Sequence, residues 1–212
     1  MLRNKRILIT AGPTWVPIDS VRVISNIASG ETGFLLAEKL SRLGAKVTLL
    51  TGSQSTCCLD KKIKLVKFSF FNELLGLALK ELRSQKFDIV VHSAAVSDYR
   101  PVKAYPGKIS SGMKRVKLEL VPTVKILDLF KRIDKSLIVI AFKFQAKAAK
   151  KKLLSEALKL LRRQTADAVV ANTFFGRRYH AYLVDKARAK GPLTSKDKLT
   201  DALIAKIGDL YG

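Results

Sequence analysis

The chain has 212 residues, 48% of them hydrophobic and 8% aromatic, which is typical of an aliphatic α/β core and excludes a disordered chain. Its 40 lysines and arginines outnumber its 17 aspartates and glutamates, and the net charge of +23 attracts nucleic acids, nucleoside triphosphates and phosphorylated small molecules alike. No apolar run reaches the roughly 18 residues of a membrane span, and the N-terminus lacks the long apolar stretch of a signal peptide. We therefore expect a soluble cytoplasmic protein without a membrane partner.

Short apolar runs alternate with helical patterns from the start of the chain. Residues 5–10 form an apolar, β-branched run that predicts a buried strand ending at a turn, and a polar loop follows at residues 14–29. Apolar side chains then recur at helical intervals over residues 31–43, with Gly44 as the cap. Because residues 46–51 have the pattern of a second buried strand, the segment predicts a βαβ unit with parallel strands.

The same alternation continues to the end of the chain. The further predicted strands are residues 64–68, 88–93, 116–120, 137–142, 168–171 and 181–185. The further predicted helices are residues 72–83, 124–131, 146–163 and 200–210. This order predicts an α/β fold with a Rossmann-like, doubly wound, mostly parallel sheet, interrupted by a flexible loop and strand excursion. No linker or repeat divides the chain, so we expect a single domain over residues 1–212.

The two cysteines, Cys57 and Cys58, are adjacent in the sequence. Neighbouring cysteines rarely form a disulfide with each other, and the two histidines, His92 and His180, do not complete a zinc site with them. We therefore predict two incidental thiols and no metal ligands in this protein.

In a sheet of this kind, ligands bind beyond the carboxyl ends of the strands. The candidate binding segments are therefore those that directly follow predicted strands, at residues 11–30, 94–108, 142–145 and 172–176. All four are unusual in composition, and the first two contain the clearest motifs.

The first of these segments has the sequence AGPTWVPIDSVRVISNIASGETG over residues 11–33. Small residues such as Gly12 let the backbone approach a ligand, and the helix that follows offers its N-terminus to a phosphate. The G-x-G-x-x-G dinucleotide motif is missing. The segment resembles phosphopantothenate–cysteine ligases, whose motif is P-I-D-x-V-R-x-I-S-N, then two residues and S-G. This chain matches the motif from Pro17 to Asn26 and at residues 29–30.

The second segment, HSAAVSDYRP at residues 92–101, resembles the A-A-V-x-D signature of the same ligases, in which a tyrosine or tryptophan follows. The resemblance implies a nucleotide-binding set that includes Gly12, Ser93, Ala94, Ala95 and Asp98. Taken without the resemblance, an aspartate after a strand is equally typical of a turn or a helix N-cap.

The resemblance also implies roles for residues of the first segment. Asn26 corresponds to a catalytic asparagine that contacts the acyl-nucleotide intermediate, and Arg22 lies in the same site. Together with Ala95, these two residues are the predicted substrate-binding residues.

Gly107-Lys108-Ile109-Ser110-Ser111 resembles the flexible loop of these ligases, in which K-I is followed by two lysines or serines. The resemblance implies that Lys108 is a catalytic residue that also binds the nucleotide. A lysine suits this role because a mobile point charge can neutralise a triphosphate as negative charge builds in the transition state. A solvated loop lysine is the alternative explanation.

Three further nucleotide-binding residues are implied near the next strand and helix. Phe142 belongs to an A-F-K-F-Q-A segment where many ligases have G-F-A-A-E-T, so Gln145 replaces an acid. Lys159 and Arg163 share a helix face at i, i+4 and precede D-A-V-V-A-N at residues 167–172, as a pair of cations does in the family. An exposed cationic face explains the pair equally well.

The family resemblance implies a ligase that joins 4′-phosphopantothenate to L-cysteine in coenzyme A biosynthesis. The reaction passes through an acyl-nucleotide and releases pyrophosphate and a nucleoside monophosphate. Because the Lys108 loop is similar to that of stand-alone bacterial ligases, CTP is expected rather than ATP, giving an acyl-cytidylate and CMP. Magnesium is expected to arrive with the nucleotide, and no flavin is expected. The resemblance also implies a homodimer. Because the first strand begins near residue 5, we expect the phosphopantothenoylcysteine decarboxylase to be a separate protein.

Two alternatives remain open on the sequence. The net charge of +23 and the basic helix at residues 147–163 fit a nucleic-acid-binding protein on a Rossmann-like scaffold, although no RNA- or DNA-binding module is recognisable. Gln145, in place of the usual acid, fits a ligase homologue that binds substrate but turns over poorly.

Overall fold

An eight-stranded sheet forms the middle layer of the protein in a computed structural model that describes residues 2–53 and 60–211. The strands are β1 (Arg6–Ala11), β2 (Trp15–Pro17), β3 (Val23–Ser25), β4 (Lys46–Gly52), β5 (Lys64–Phe68), β6 (Ile89–His92), β7 (Tyr99–Pro101), β8 (Leu120–Pro122), β9 (Ile138–Phe144), β10 (Ala168–Phe175), β11 (Arg178–Val184) and β12 (Ala189–Leu193). The helices are α1 (Glu31–Arg42), α2 (Phe71–Ser84), α3 (Ile126–Ile133), α4 (Lys150–Arg162) and α5 (Lys196–Tyr211).

The order of strands in the sheet is β12-β11-β10-β9-β6-β1-β4-β5. The strands from β10 to β5 are parallel, and β11 and β12 extend the sheet in antiparallel fashion. The prediction of a doubly wound, mostly parallel α/β sheet is therefore confirmed. The chain winds outward from β1 to β4 and β5, then returns to β6 on the other side of β1. The topological switch point, where sheets of this kind bind ligands, lies between β1 and β6.

Helices cover both faces of the sheet, so consecutive side chains of a central strand enter two different cores. Ile7 and Ile9 of β1 pack with residues of α1 and α5, whereas Leu8 between them packs with residues of α2, α3 and α4. All three side chains are completely buried. Burial on both faces explains why the parallel strands appear in the sequence as continuous apolar runs rather than alternating ones.

Two hairpins account for most of the differences from the predicted elements. β2 and β3 pair with each other inside the segment predicted as a loop at residues 14–29. The predicted strand at residues 116–120 is wrong: residues 115–119 have no regular secondary structure, and the strand here is β8, which pairs with β7. The alternating V-K-L-E-L pattern favours a strand, but a strand forms only where it finds a partner, and β7 meets the chain from Leu120 onward.

The far edge of the sheet and the start of α4 also differ from prediction. β12 was not predicted, because its A-K-G-P-L sequence contains a glycine, which weakens a strand, and a proline, which is tolerated mainly in edge strands. The helix predicted from residue 146 begins at Lys150, since Lys147 is left-handed with a φ of 49° and Ala149 is extended. β10 continues four residues beyond its predicted end at residue 171, because β11 pairs with it along that length.

The prediction about Cys57 and Cys58 falls outside the described residues. In the part of the chain that the structure describes, no helix is both long enough and apolar enough to span a membrane.

Candidate functional site

Two loops run side by side at the switch point, one after β1 and one after β6. The last paired residues of these strands are Thr10 and His92, so both loops leave the same edge of the sheet. The Ala95 amide donates to the Gly12 carbonyl at 2.9 Å, and the Thr14 amide donates to the Ala95 carbonyl at 3.3 Å. Gly12 makes the turn with a φ of 79°, which favours glycine. The structure therefore brings the predicted Gly12 and Ala95 together.

Thr10 fixes the backbone of Ser93 and Ala94. Its carbonyl accepts the Ser93 amide at 3.0 Å and the Ser93 hydroxyl at 2.7 Å, and its own hydroxyl accepts the Ala94 amide at 3.3 Å. The Thr10 hydroxyl is also hydrogen-bonded to Nδ1 of His92 at 2.8 Å. Burial lowers the pKa of His92 to about 4, so its ring is neutral near pH 7. Sequence analysis missed the roles of Thr10 and His92, which no motif indicates.

The first turn of α1 packs directly on these loops. A Cβ atom added to Gly33 would lie 2.4 Å from the Ala11 Cβ and 3.2 Å from the Ser93 hydroxyl oxygen. Gly30 precedes the helix with a φ of 76° and makes no side-chain cap. The Glu31 amide donates to the Ser29 hydroxyl at 3.4 Å and the Gly33 amide donates to the Gly30 carbonyl at 2.9 Å, so the helix dipole, rather than a set of free amides, is what attracts an anion beside Ser93.

Asn26 crosses from the first loop to the second. Its side-chain amide donates to the carbonyls of Ala95 and Val96 at 3.2 and 3.0 Å. Ser25 next to it donates its hydroxyl to the Thr14 carbonyl at 3.3 Å. The predicted catalytic Asn26 is therefore held against the predicted nucleotide-binding backbone, and its side-chain oxygen has no hydrogen-bond partner among the described residues.

Asp98 lies at the entrance of β7 and is exposed. Its carboxylate forms an ion pair with Lys125, and its carbonyl accepts the Thr123 amide at 2.9 Å. The Thr123 hydroxyl donates to the Ser97 carbonyl at 2.6 Å, so the segment before α3 is bound to the second loop. Lys125 thus joins the site, although nothing in its sequence context indicated a role.

Arg22 contacts Ile109, the residue that follows Lys108, rather than Lys108 itself. The Arg22 guanidinium lies 2.5 Å from an Asp19 carboxylate oxygen and donates to the Ile109 carbonyl at 3.2 Å. Lys108 precedes Ile109, and its side chain is exposed without an ion-pair partner in residues 2–53 and 60–211. The predicted substrate contact of Arg22 stays a prediction, because the contacts seen here join two loops of the protein.

The sequence model of the DNA/pantothenate metabolism flavoprotein C-terminal domain family matches residues 2–210. This chain belongs to that family. Its curated relatives include the coenzyme A biosynthesis bifunctional protein CoaBC of Thermococcus kodakarensis, 37% identical over 95% of this chain and 50% of the relative. The protein of the same name from Methanocaldococcus jannaschii is 31% identical over 98% of this chain and 51% of the relative. The chain thus spans about half the length of the curated relatives it matches.

Solved structures share the fold of this family member over nearly their whole length. The DNA/pantothenate metabolism flavoprotein from Streptococcus pneumoniae has a TM-score of 0.86 at 27% identity, covering 98% of this chain and 100% of that one. The C-terminal domain of a CoaBC protein has a TM-score of 0.81 at 27% identity, covering 99% and 97%. A Cab2 H337A mutant in complex with phosphopantothenate-cysteine, at 21% identity, shares the fold with a TM-score of 0.75.

Lys159 lies in the last turn of α4 and Arg163 is the residue that caps its C-terminus, from which the chain runs to the amino end of β10. Lys159 forms an ion pair with Glu156 at 2.6 Å, and Arg163 forms one with Asp128 in the first turn of α3 at 3.2 Å. The structure therefore connects Arg163 with the site through α3 and does not place either cation beside Lys108. Their predicted nucleotide contacts stay predictions.

Phe142 is half-buried on β9 and packs toward the core that α1 and α5 cover. Just beyond it, the Gln145 amide donates to the Asn172 carbonyl at 3.0 Å, and the Ala148 amide donates to the Thr173 hydroxyl at 3.3 Å. Gln145, which replaces the usual acid of the ligase pattern, is thus bound through its backbone to β10. The predicted nucleotide contact of Phe142 also remains a prediction.

The described residues contain no group of three or more histidine, cysteine, aspartate or glutamate side chains that could hold a metal ion. At the switch point, Asp98 is the predicted nucleotide-binding carboxylate, and Lys125 already neutralises it.

Proposed function

We propose that this chain is a phosphopantothenate–cysteine ligase of coenzyme A biosynthesis. The observation that carries the proposal is that Asn26 is bonded to the 95–96 backbone at the switch point, while the loop of Lys108 is bonded to residues 18–22 of the segment that contains Asn26. Family membership supports it, as do the names of the curated relatives and the phosphopantothenate-cysteine complex of a protein with the same fold.

The proposed reaction has two half-reactions. The carboxylate of 4′-phosphopantothenate attacks the α-phosphate of a nucleoside triphosphate and displaces pyrophosphate, forming an acyl-nucleotide. The amine of L-cysteine then attacks the acyl carbon, loses a proton to form the amide, and releases the nucleoside monophosphate. CTP is the proposed nucleotide, since the K-I-S-S sequence after Gly107 is similar to that of bacterial ligases.

Positioning and charge stabilisation supply most of the proposed catalysis, because the protein forms no covalent bond with the substrate. Lys108 neutralises the triphosphate, and the positive end of the α1 dipole next to Ser93 attracts phosphate oxygens. Asn26 keeps one side-chain oxygen free while its amide is anchored to the second loop, so that oxygen can accept a hydrogen bond from the substrate.

Pyrophosphate release from phosphopantothenate, L-cysteine and Mg²⁺ with CTP or ATP tests the proposal. We expect release that requires phosphopantothenate, is faster with CTP and falls by at least about 100-fold in Lys108→Ala, as when a charge-stabilising group is removed. No release with either nucleotide, from a folded sample, would refute an active ligase. Nucleotide binding without turnover would instead identify a weakened homologue.

A homodimer and a separate decarboxylase are part of the same proposal. Exposed apolar side chains concentrate in the segment around β7 and β8, including Tyr99, Val102, Tyr105, Met113, Val116, Leu118, Leu120 and Val124. A contiguous exposed apolar surface is typical of a protein–protein interface. The mass in solution tests the dimer: a monomer at micromolar concentration would refute it.

Nucleic-acid binding is the second candidate function, and the start of α4 favours it. Lys150, Lys151 and Lys152 occupy its first turn, with no acidic residue and no side-chain cap. Cations there oppose the helix dipole, so they suggest an anionic partner. Binding to random DNA that weakens steeply with salt, without any affinity for nucleotides, would favour this candidate over the ligase.

A further inference from the structure

One buried carboxylate joins the two segments that flank the switch point. The Asp19 side chain is fully buried, and one of its oxygens accepts the amides of Val21 and Arg22 at 2.8 and 2.7 Å. The other oxygen accepts the Ile109 amide at 3.0 Å and the Arg22 guanidinium at 2.5 Å. Since Arg22 also donates to the Ile109 carbonyl, both backbone groups of Ile109 are bound to this pair.

Further bonds hold the same loop one residue before Lys108. The Ser20 amide donates to the Gly107 carbonyl at 3.1 Å, and the Tyr105 amide donates to the Ile18 carbonyl at 2.8 Å. Ile109 is buried, whereas Lys108 between the two anchored positions is exposed. The loop is therefore fixed on both sides of one outward-facing lysine.

The Asp19 carboxylate stays ionised in this position. Burial alone would raise its pKa, but hydrogen bonds from the amides of Ile109, Val21 and Arg22 and from the Arg22 guanidinium lower the pKa far below its usual range. A change of pH in the physiological range therefore does not open these contacts.

We propose that Asp19 is a positioning residue that holds Lys108 against the segment that follows β1. This inference rests on the proposed function in one respect: it assumes that Lys108 binds the nucleotide. Asp19 acts through Ile109: its carboxylate fixes the backbone next to Lys108, so the lysine reaches the triphosphate without first ordering the loop.

Asp185 offers a matched control for Asp19. It too accepts two amides of following residues, Ala187 and Arg188 at 2.7 and 2.8 Å, and it pairs with a cation, Lys206. It lies in the turn between β11 and β12, at the far end of the sheet from β1. Asp185→Asn therefore removes a similar local network without touching the Lys108 loop.

Hydrogen exchange measured by mass spectrometry tests the link without any substrate. In Asp19→Asn, the amides of peptides covering residues 105–110 should exchange at least about tenfold faster, because Ile109 loses its charged acceptor. Asp185→Asn should leave those peptides unchanged. Equal protection of the loop in Asp19→Asn and the wild type would overturn the proposal. If Asp19→Asn does not fold, Arg22→Gln removes the guanidinium contacts and should loosen the same peptides.

A double-mutant cycle tests whether Asp19 acts through Lys108. We expect Asp19→Asn to weaken CTP binding by about tenfold in the wild type and by less than about twofold in Lys108→Ala, because coupled residues are not additive. The same loss in both backgrounds would show a general structural role and overturn the proposal. Binding needs no turnover, so a wild type that binds CTP but releases no pyrophosphate contradicts the ligase function alone. A wild type that binds neither CTP nor ATP overturns both.

Discussion

Two helical glycines should respond to alanine with opposite signs. Gly33 lies in the first turn of α1, and an added Cβ there would stand 2.4 Å from the Ala11 Cβ. Carbon atoms in contact normally stay about 3.5–4.0 Å apart, so the overlap exceeds about 1 Å. Gly76 in α2 is exposed, and an added Cβ would find nothing within 4 Å.

Overpacking a close contact costs about 1–3 kcal/mol, while replacing a helical glycine with alanine gains at most about 1 kcal/mol. We therefore expect Gly33→Ala to lower the free energy of unfolding by about 1–2 kcal/mol, and Gly76→Ala to raise it by about 0.5–1 kcal/mol. Because Gly33 also lies against Ser93, the first variant should weaken nucleotide binding and the second should not.

Urea denaturation of the three proteins, followed by circular dichroism, measures the free energies of unfolding. A stability of Gly33→Ala equal to or above that of the wild type would refute the close packing of α1 on β1. Destabilisation by Gly76→Ala would refute the reasoning that the space around a glycine determines whether alanine stabilises or destabilises the protein. The expected separation of about 2 kcal/mol lies well outside the usual error of such measurements.

Three further changes probe the same residues. Thr10→Val removes the hydroxyl that binds Ala94 and His92, and should lower the free energy of unfolding in urea by about 1–3 kcal/mol; an unchanged value would contradict the bonding described. The pKa of His92 is lowered by burial from 6.5 to about 4, so unfolding takes up a proton between these pH values. The free energy of unfolding therefore falls as the pH drops from about 6.5 toward 4, by at most about 1.4 kcal/mol per pH unit. His92→Gln should flatten the slope between about pH 5 and 6.5, where carboxylates stay ionised, and an unchanged slope would place the titration elsewhere. The buried Tyr179 hydroxyl lies near the Asn172 side chain but has no hydrogen-bond partner of good geometry among the described residues. Tyr179→Phe should therefore leave the melting temperature unchanged or raise it, and a clear drop would show that Asn172 is a real partner.

The parallel strands and the helices between them could be predicted because each has a recognisable pattern in its own stretch of sequence. The apolar run before Gly12 and the helical spacing after Gly30 suffice to predict β1 and α1, since burial on both sheet faces leaves continuous apolar strands. The hairpins could not be predicted in this way. β8 contains only three residues, and it is defined by its partner β7 rather than by its own sequence.

Motifs predicted which residues lie at the switch point but not how they are held there. Asn26 and Ala95 belong to two motifs far apart in the sequence, and the structure brings them within hydrogen-bond distance. By contrast, the bond between Asp19 and Ile109 joins residues 90 positions apart, and no periodicity records it. The aspartate of the P-I-D motif does indicate part of this network, because an aspartate that accepts the amide two residues later is typical of an Asx-turn. Such a turn uses one carboxylate oxygen and leaves the other for a distant loop.

Only some of the chain's positive charges can be given a structural or binding role. Lys125, Lys131 and Arg163 are bound to carboxylates close to α3, whereas the lysines in the first turn of α4 have no such partner among the described residues. In the proposed ligase, Lys108 and the positive end of the α1 dipole meet the triphosphate, and the first-turn lysines of α4 have no part in the proposed reaction. If nucleotide binding proves insensitive to neutralising Lys151 and Lys152 while DNA binding is lost, the α4 face is a separate anionic-partner surface. If neither changes, the excess charge carries no binding function on that face.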